Sequence, residues 1–172
     1  HNNRNGIFVN WQNKGREWER PVHIQFFEND GTLGFSQDAG IRLFGGSSRG
    51  LPQKSLRISA RETGYFNTDK YDGSREFSYE IFPGRKKANG EVLTVYNSFI
   101  LRNGGNDSLI SGVEGDRATH LRDGWAARMS QVATPNVETM SYRPCVVYLN
   151  GGYYGILNIR ERQDEDYLKN IY

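Results

Sequence analysis

The chain has 172 residues, 36% of them apolar, with 22 basic and 20 acidic side chains and a formal charge of +2. That length makes one domain or a large piece of one, and so even a charge balance argues against wholesale nucleic-acid binding. A single cysteine, Cys145, excludes an internal disulfide and disfavours a cysteine-based metal site; no apolar run has the length of a membrane span. The low apolar content is offset by ten Tyr, nine Phe and three Trp, which bury much area per residue. Twenty glycines against five prolines favour short strands joined by tight turns.

Residues 1–20 are polar and loop-like, interrupted by Ile7, Phe8 and Val9. Alternation over 22–27 predicts a strand, and Asn29-Asp30-Gly31 a hairpin turn into a second strand over 32–35. A further apolar strand, 41–44, leads into a glycine turn, and a strand over 54–60 follows it. Residues 62–95 read as a long excursion with one short strand near 77–82. A short apolar strand at 98–101 ends in the polar tract Arg102-Asn103-Gly104-Gly105-Asn106-Asp107. The first convincing helix spans about 117–132, where Leu121, Trp125, Met129 and Val132 recur at helical spacing. Gly124 inside it costs about 1 kcal/mol against Ala, and Pro135 ends the region. The clearest hairpin pairs 143–149 with 153–161 around Asn150-Gly151. A last helix opens at about 163, with acidic residues at its N-terminus where the helix dipole favours them. The pattern is α+β: mostly antiparallel sheet with one or two packed helices.

The densest chemistry lies at 41–61, IRLFGGSSRGLPQKSLRISAR, which holds three glycines, five basic residues and no carboxylate. A glycine turn followed by a lysine at the mouth of a strand is one way to receive an anion, often a phosphate. The spacing of Gly45, Gly50, Lys54 and Ser55 is not that of a Walker loop, in which the lysine directly follows the second glycine and a helix comes next. Strand parity puts Lys54, Leu56, Ile58 and Ala60 on one face, and Ser55, Arg57, Ser59 and Arg61 on the other. Lys54 thus starts the strand on its apolar side, either facing an anion or snorkelling to water. The rest of the cluster, Arg42, Arg49, Arg57 and Arg61, reads mostly as a solvated face.

Glu161 ends the inward row Leu157, Ile159, Glu161, where a buried carboxylate must be paired, protonated or bound to a cation. It can meet Lys54 across the sheet or lie beyond the sheet edge in water. The 102–107 tract has two readings: a polar wall of a phosphate or substrate site, or a turn in which Asn and Asp bond local backbone. His1, His23 and His120 have no metal-ligand spacing, and Cys145 reads as a buried, inert thiol.

Four segments taken together resemble the spore coat protein H (CotH) family of atypical protein kinases: IRLFGGSSRGLPQKSLRISAR, FILRNGGND, HLRDGWAARMSQ and YLNGGYYGILNIRERQDEDYLKN. They fall in the family's order and cover most of residues 41–172. The resemblance implies a β-rich part of a divergent kinase-like fold that binds ATP with Mg²⁺ or Mn²⁺ and phosphorylates Ser or Thr of coat or cell-surface proteins, in a bacterial spore coat or outside the cell. It assigns a nucleotide site to Gly45, Gly46, Ser47, Ser48, Arg49 and Lys54, with Glu161 near the nucleotide or orienting Lys54; Arg122 matches a basic residue of unassigned role. The family's aspartates, one after an asparagine-tyrosine pair and one in a tryptophan-aspartate segment, have no counterpart here. Asp107, Glu114, Asp116, Glu161 and Asp164 do not reproduce them. The expectation is therefore a single partial domain, 1–172, that needs the family's C-terminal half and is inactive alone, with catalytic residues unassigned. The competing reading is a secreted or cell-surface module without catalysis, either a scaffold or a binder stacking sugar or protein on Tyr153, Tyr154, Trp11 or Trp18.

Overall fold

The computed structural model describes residues 6–67, 70–108, 117–134 and 137–172; His1, Glu114, Asp116 and Pro135 lie outside them. In chain order the regular elements are β1 (Arg20–Phe27), β2 (Leu33–Phe44), β3 (Ser55–Ala60), β4 (Phe77–Ser78), β5 (Val95–Tyr96), β6 (Ser98–Arg102), α1 (Arg122–Ala133), β7 (Tyr142–Leu149), β8 (Gly152–Glu161) and α2 (Glu165–Ile171). Six strands form one sheet in the order β1-β2-β3-β6-β8-β7 with every neighbouring pair antiparallel, and β4 pairs β5 apart from it. The α+β, mainly antiparallel expectation holds.

The two strands expected at 32–35 and 41–44 are one twelve-residue strand, β2. The polar stretch between them does not break it, because β1 pairs with it from Ile41 to Leu33. The β7–β8 hairpin forms as its turn sequence dictates: Asn150 and Gly151 both take positive φ, 52° and 78°, as a type I′ turn requires. A bulge at Val147/Tyr148 sets Tyr154 out of register.

One face of the sheet carries the core. Ile41, Ile58 and Phe99 form one row across β2, β3 and β6, and Leu43, Leu56, Leu101 and Ile159 the next. The excursion expected at 62–95 delivers Phe77, Ile81, Phe82 and Leu93 into this core, with Phe77 against Phe35 and Phe99. Cys145 is half-buried at its margin; burial pushes the thiol up to about 12, which keeps it protonated and inert.

The helix prediction misplaces its buried side. α1 starts five residues later than expected, and Leu121, Trp125, Met129 and Val132 are all exposed. The helix docks instead through Gly124, its one buried residue, against the ring of Tyr142. At the other terminal helix, the carboxylate of Asp164 caps α2 by accepting from the Tyr167 amide at 3.1 Å.

Candidate functional site

The glycine turn closes the β2–β3 hairpin. Gly45 has φ +110°, Gly46 precedes a 3-10 turn over Ser47–Gly50, and Gly45, Gly46 and Ser47 are exposed. Arg49 is buried beneath the turn, where it donates to the carbonyls of Trp11 (2.9 Å) and Asn13 and so fastens the N-terminal segment to the hairpin. Between them lies a pocket of about 240 Å³, lined by Lys14, Arg42, Arg49, Gly45, Trp18 and Asn10 among others, with no carboxylate in its wall.

Lys54 lies just outside β3 and is only 6% exposed, so it does not snorkel. Its ammonium donates to the carbonyls of Arg49 (2.7 Å) and Leu51 (2.8 Å). That satisfies acceptors at the end of the 3-10 turn and holds a positive charge directly under it. Burial, with Arg49 nearby, lowers the lysine's pKa. The structure thus brings Gly45, Gly46, Ser47, Ser48, Arg49 and Lys54 together in one turn.

The 102–107 tract supports that turn. Asn103, fully buried, donates from its side chain to the Gln53 carbonyl (2.6 Å), and its side-chain oxygen accepts from Ser55 Oγ (2.8 Å) and the Gly105 amide (3.0 Å). From β8, the Tyr154 hydroxyl takes the Lys54 amide at 2.6 Å and donates to the Lys54 carbonyl at 2.9 Å. Gln53, Lys54 and Ser55 are therefore clamped from both sides. Asp107 accepts from the amides of Thr119 (2.7 Å) and Arg122 (3.0 Å) and faces the Arg122 guanidinium at 3.4 Å, tying the tract to the start of α1. Burial pushes the Asp107 carboxyl up, but these bonds outweigh it and its pKa is lowered.

Glu161 stands apart from Lys54. It is level with Phe99, which pairs with Ile58, four residues along β3 from the lysine. It is 1% exposed, with Arg85 Nε at 3.0 Å and the Ser141 amide at 2.8 Å. Arg85 also bonds Glu138 at 2.7 Å, and the Tyr167 hydroxyl donates to the same Glu138 oxygen at 2.6 Å. Of the alternatives for Glu161, it is the paired one that forms, with an arginine from the excursion as the partner. Nothing in the sequence marked Arg85, which lies 76 residues away in a stretch without periodicity.

The polar face of the sheet differs most from expectation. Arg57 is not solvated: β3 is buried along its whole length, on the polar face as well as the apolar one. A row runs across this face as Arg42, Arg57, Ile100, Arg160 and Tyr142. Glu19, buried over Gly40, takes Arg61 through both oxygens (2.5 and 3.0 Å) and lies 3.9 Å from Arg42. Asp123 of α1 pairs with Arg102 and, at 3.1 Å, with Arg160. Arg162 pairs with Asp164. The aromatic candidates divide: Tyr153 and Trp11 are exposed, while Trp18 and Tyr154 are half-buried, the latter committed to Lys54.

The site suits an anion: glycine-turn backbone, a carboxylate-free basic pocket and a buried lysine beneath it. A metal finds less, because no three His, Cys, Asp or Glu gather as ligands among the described residues. Among the same residues, no helix is long and apolar enough to cross a membrane. Together these define an α+β chain with a basic hairpin turn beside a carboxylate-free pocket. The family model described as CotH kinase protein matches residues 41–171, and the chain belongs to that family. No curated protein matches it.

Proposed function

We propose that this chain is the β-rich, phosphate-receiving part of a CotH-type atypical protein kinase domain. In the complete domain the reaction is transfer of a phosphoryl group from ATP, with Mg²⁺ or Mn²⁺, to Ser or Thr of a coat or cell-surface protein. The observation that carries this reading is the carboxylate-free basic pocket beside the glycine turn, in a chain of this family. In the proposed site, Gly45, Gly46, Ser47 and Ser48 form the edge that meets the phosphates, while Arg42, Arg49 and Lys14 supply positive charge. Lys54 acts from beneath, holding the turn in shape and adding its charge. Glu161 anchors the excursion and contributes at a distance. No described residue is assigned to the metal. Phosphoryl transfer needs carboxylates to hold metal and to position the acceptor hydroxyl, and the family's aspartate segments have no counterpart in this sequence. In this reading the chain therefore binds nucleotide without turning it over.

The test is calorimetric titration of ATP, with and without Mg²⁺ or Mn²⁺, into the chain and into Lys54→Ala and Arg42→Gln. Saturable binding that both variants lose is the expected result. Because Lys54→Ala also leaves two turn carbonyls without their donor, each variant is melted in parallel. Arg42→Gln, with its half-buried side chain, is expected to fold as the parent does. Binding unchanged in both variants overturns the site, and phosphate transfer to a coat-like peptide by this chain overturns the claim of no turnover.

A further inference from the structure

Among the described residues, Arg57 is the side chain whose charge the fold leaves unanswered at the centre of the sheet. It is 8% exposed, its Nε is buried without a hydrogen-bond partner, and no ion pair reaches it from the described residues. Its nearest charged neighbours are mostly of its own sign. Burial, then Arg162 and Arg42, push the guanidinium down to about 10, with only Asp164 pulling the other way. The carboxylates in reach are already committed: Glu19 to Arg61, Asp123 to Arg102 and Arg160, Asp164 to Arg162 and the α2 cap.

Two further donors on the same face are also unused. Ser59, two residues along β3, is fully buried and its hydroxyl has no partner. Arg160, two strands over in the same row, is 5% exposed, and its Nε and Nη1 make no hydrogen bond; the 3.1 Å approach of Nη1 to Asp123 is a charge contact without hydrogen-bond alignment. Two strand spacings put Arg57 and Arg160 about 10 Å apart at the backbone, across the apolar floor of Ile100. Buried donors are almost always satisfied in folded proteins, so several orphans on one face mark a place where an acceptor belongs.

We propose that Arg57, with Ser59 and Arg160, receives a phosphate-type oxyanion on this polar face, a site separate from the glycine turn. The charge count selects the class. Among the described residues, six arginines (Arg42, Arg57, Arg61, Arg102, Arg160 and Arg162) face three carboxylates, Glu19, Asp123 and Asp164. A dianion offsets more of that excess than one carboxylate does. Its tetrahedral oxygens also offer more acceptor sites, pointing in more directions, to two guanidiniums and a hydroxyl than a planar carboxylate does.

The experiment uses the whole 172-residue chain in phosphate-free buffer at constant ionic strength. Inorganic phosphate, ATP, adenosine and chloride are titrated without metal, and binding is read by thermal melting and ³¹P line broadening. Phosphate is expected to raise the melting temperature beyond chloride. Arg57→Met is expected to weaken phosphate binding by about tenfold or more, the loss of one charge-assisted hydrogen bond. Without phosphate, the same variant is expected to melt at least as high as the parent, because it removes a buried charge with no partner. A shift from orthophosphate assigns a free ion, and one from ATP but not from orthophosphate or adenosine assigns the phosphates of a nucleotide; either must need about tenfold more ligand, or be lost, in Arg57→Met. Equal behaviour of phosphate, ATP and chloride in the parent overturns the proposal, as does a phosphate shift that survives the substitution unchanged. Should Arg57→Met not fold, Arg57→Lys keeps the charge without the Nε donor and is held to the same loss. The Lys54-dependent ATP binding proposed at the turn can fail while this site stands, and the reverse, so the two results are read separately.

Discussion

Replacing Glu161 by Gln removes one buried negative charge and changes almost no volume. In the parent, that carboxylate accepts from Arg85 at 3.0 Å and from the Ser141 amide at 2.8 Å, at 1% exposure. Breaking a buried ion pair from one side costs about 3–5 kcal/mol, because the surviving charge is stranded. Here the surviving charge is not fully stranded, since Arg85 keeps Glu138 at 2.7 Å, and glutamine retains an oxygen for one of the two donors. The expected loss is therefore about 2–3 kcal/mol, or roughly 5–10 °C in melting temperature for a chain of this size. Urea titration should show a lower midpoint at unchanged slope. Arg85→Met should cost a similar amount, and the double variant much less than the sum, because the two groups form one network. A Glu161→Gln protein that melts as the parent does yet loses ATP would refute this reasoning and place the carboxylate beside the nucleotide instead.

Other consequences are as specific. Asn103→Ala strands the Gln53 carbonyl and the Gly105 amide, both held by its side chain; a loss of about 3 kcal/mol is expected by chemical denaturation, with the turn's ATP affinity falling in parallel. Gly124→Ala should destabilise, although alanine is the better helix former by about 1 kcal/mol, because the added Cβ would drive into the Tyr142 ring; a higher melting temperature would mean that α1 does not dock this way. His120 is buried with neither ring nitrogen bonded, and burial lowers its pKa against the pull of Asp107 and Asp123. A histidine with a depressed folded pKa binds its proton more readily in the unfolded chain. Stability is then full above pH 6.5 and declines as pH falls below it toward the folded pKa. His120→Gln should flatten that part of the stability–pH profile, and an unchanged profile would assign the slope to other groups.

Where local signals and tertiary packing agree, the sequence was readable. The β7–β8 hairpin is one such place: Asn150-Gly151 between alternating segments has few other solutions, and both turn residues take the positive φ that the pair predicts. The glycine turn was legible for the same reason, but not the place of Lys54, whose ammonium does not snorkel and bonds the Arg49 and Leu51 carbonyls instead. The failures share one cause, which is that long-range polar contacts leave no periodic trace. α1 carries apolar residues at helical spacing, yet its docking is made by Gly124 on Tyr142 and by Asp123 on Arg102 and Arg160, so the apolar stripe faces outward. Arg57 and Arg61 alternate with apolar residues as a solvated strand face would, but a strand in the middle of a six-stranded sheet whose second face is also covered hides both sets. An arginine at the midpoint of a strand with partners on both sides was the available clue. The Glu161–Arg85 pair had none.

This side of the molecule inverts the usual distribution. A helix shows Trp125 and Val132 to solvent, while the sheet beneath buries Arg57, Ser59, Asn158 and Arg160 with donors or acceptors unused. Each buried orphan costs about 1–3 kcal/mol, and more when charged. For stability alone, methionine or leucine at position 57 would do better, as apolar replacements of buried ionic groups often do. The core face of the same strand shows that the sequence can fill such positions: Leu56 and Ile58, on either side of Arg57, are packed without strain on any polar group. The arginine therefore cannot be explained by folding. It costs the isolated chain stability, and the proposed oxyanion returns stability that grows with the logarithm of its concentration over its Kd.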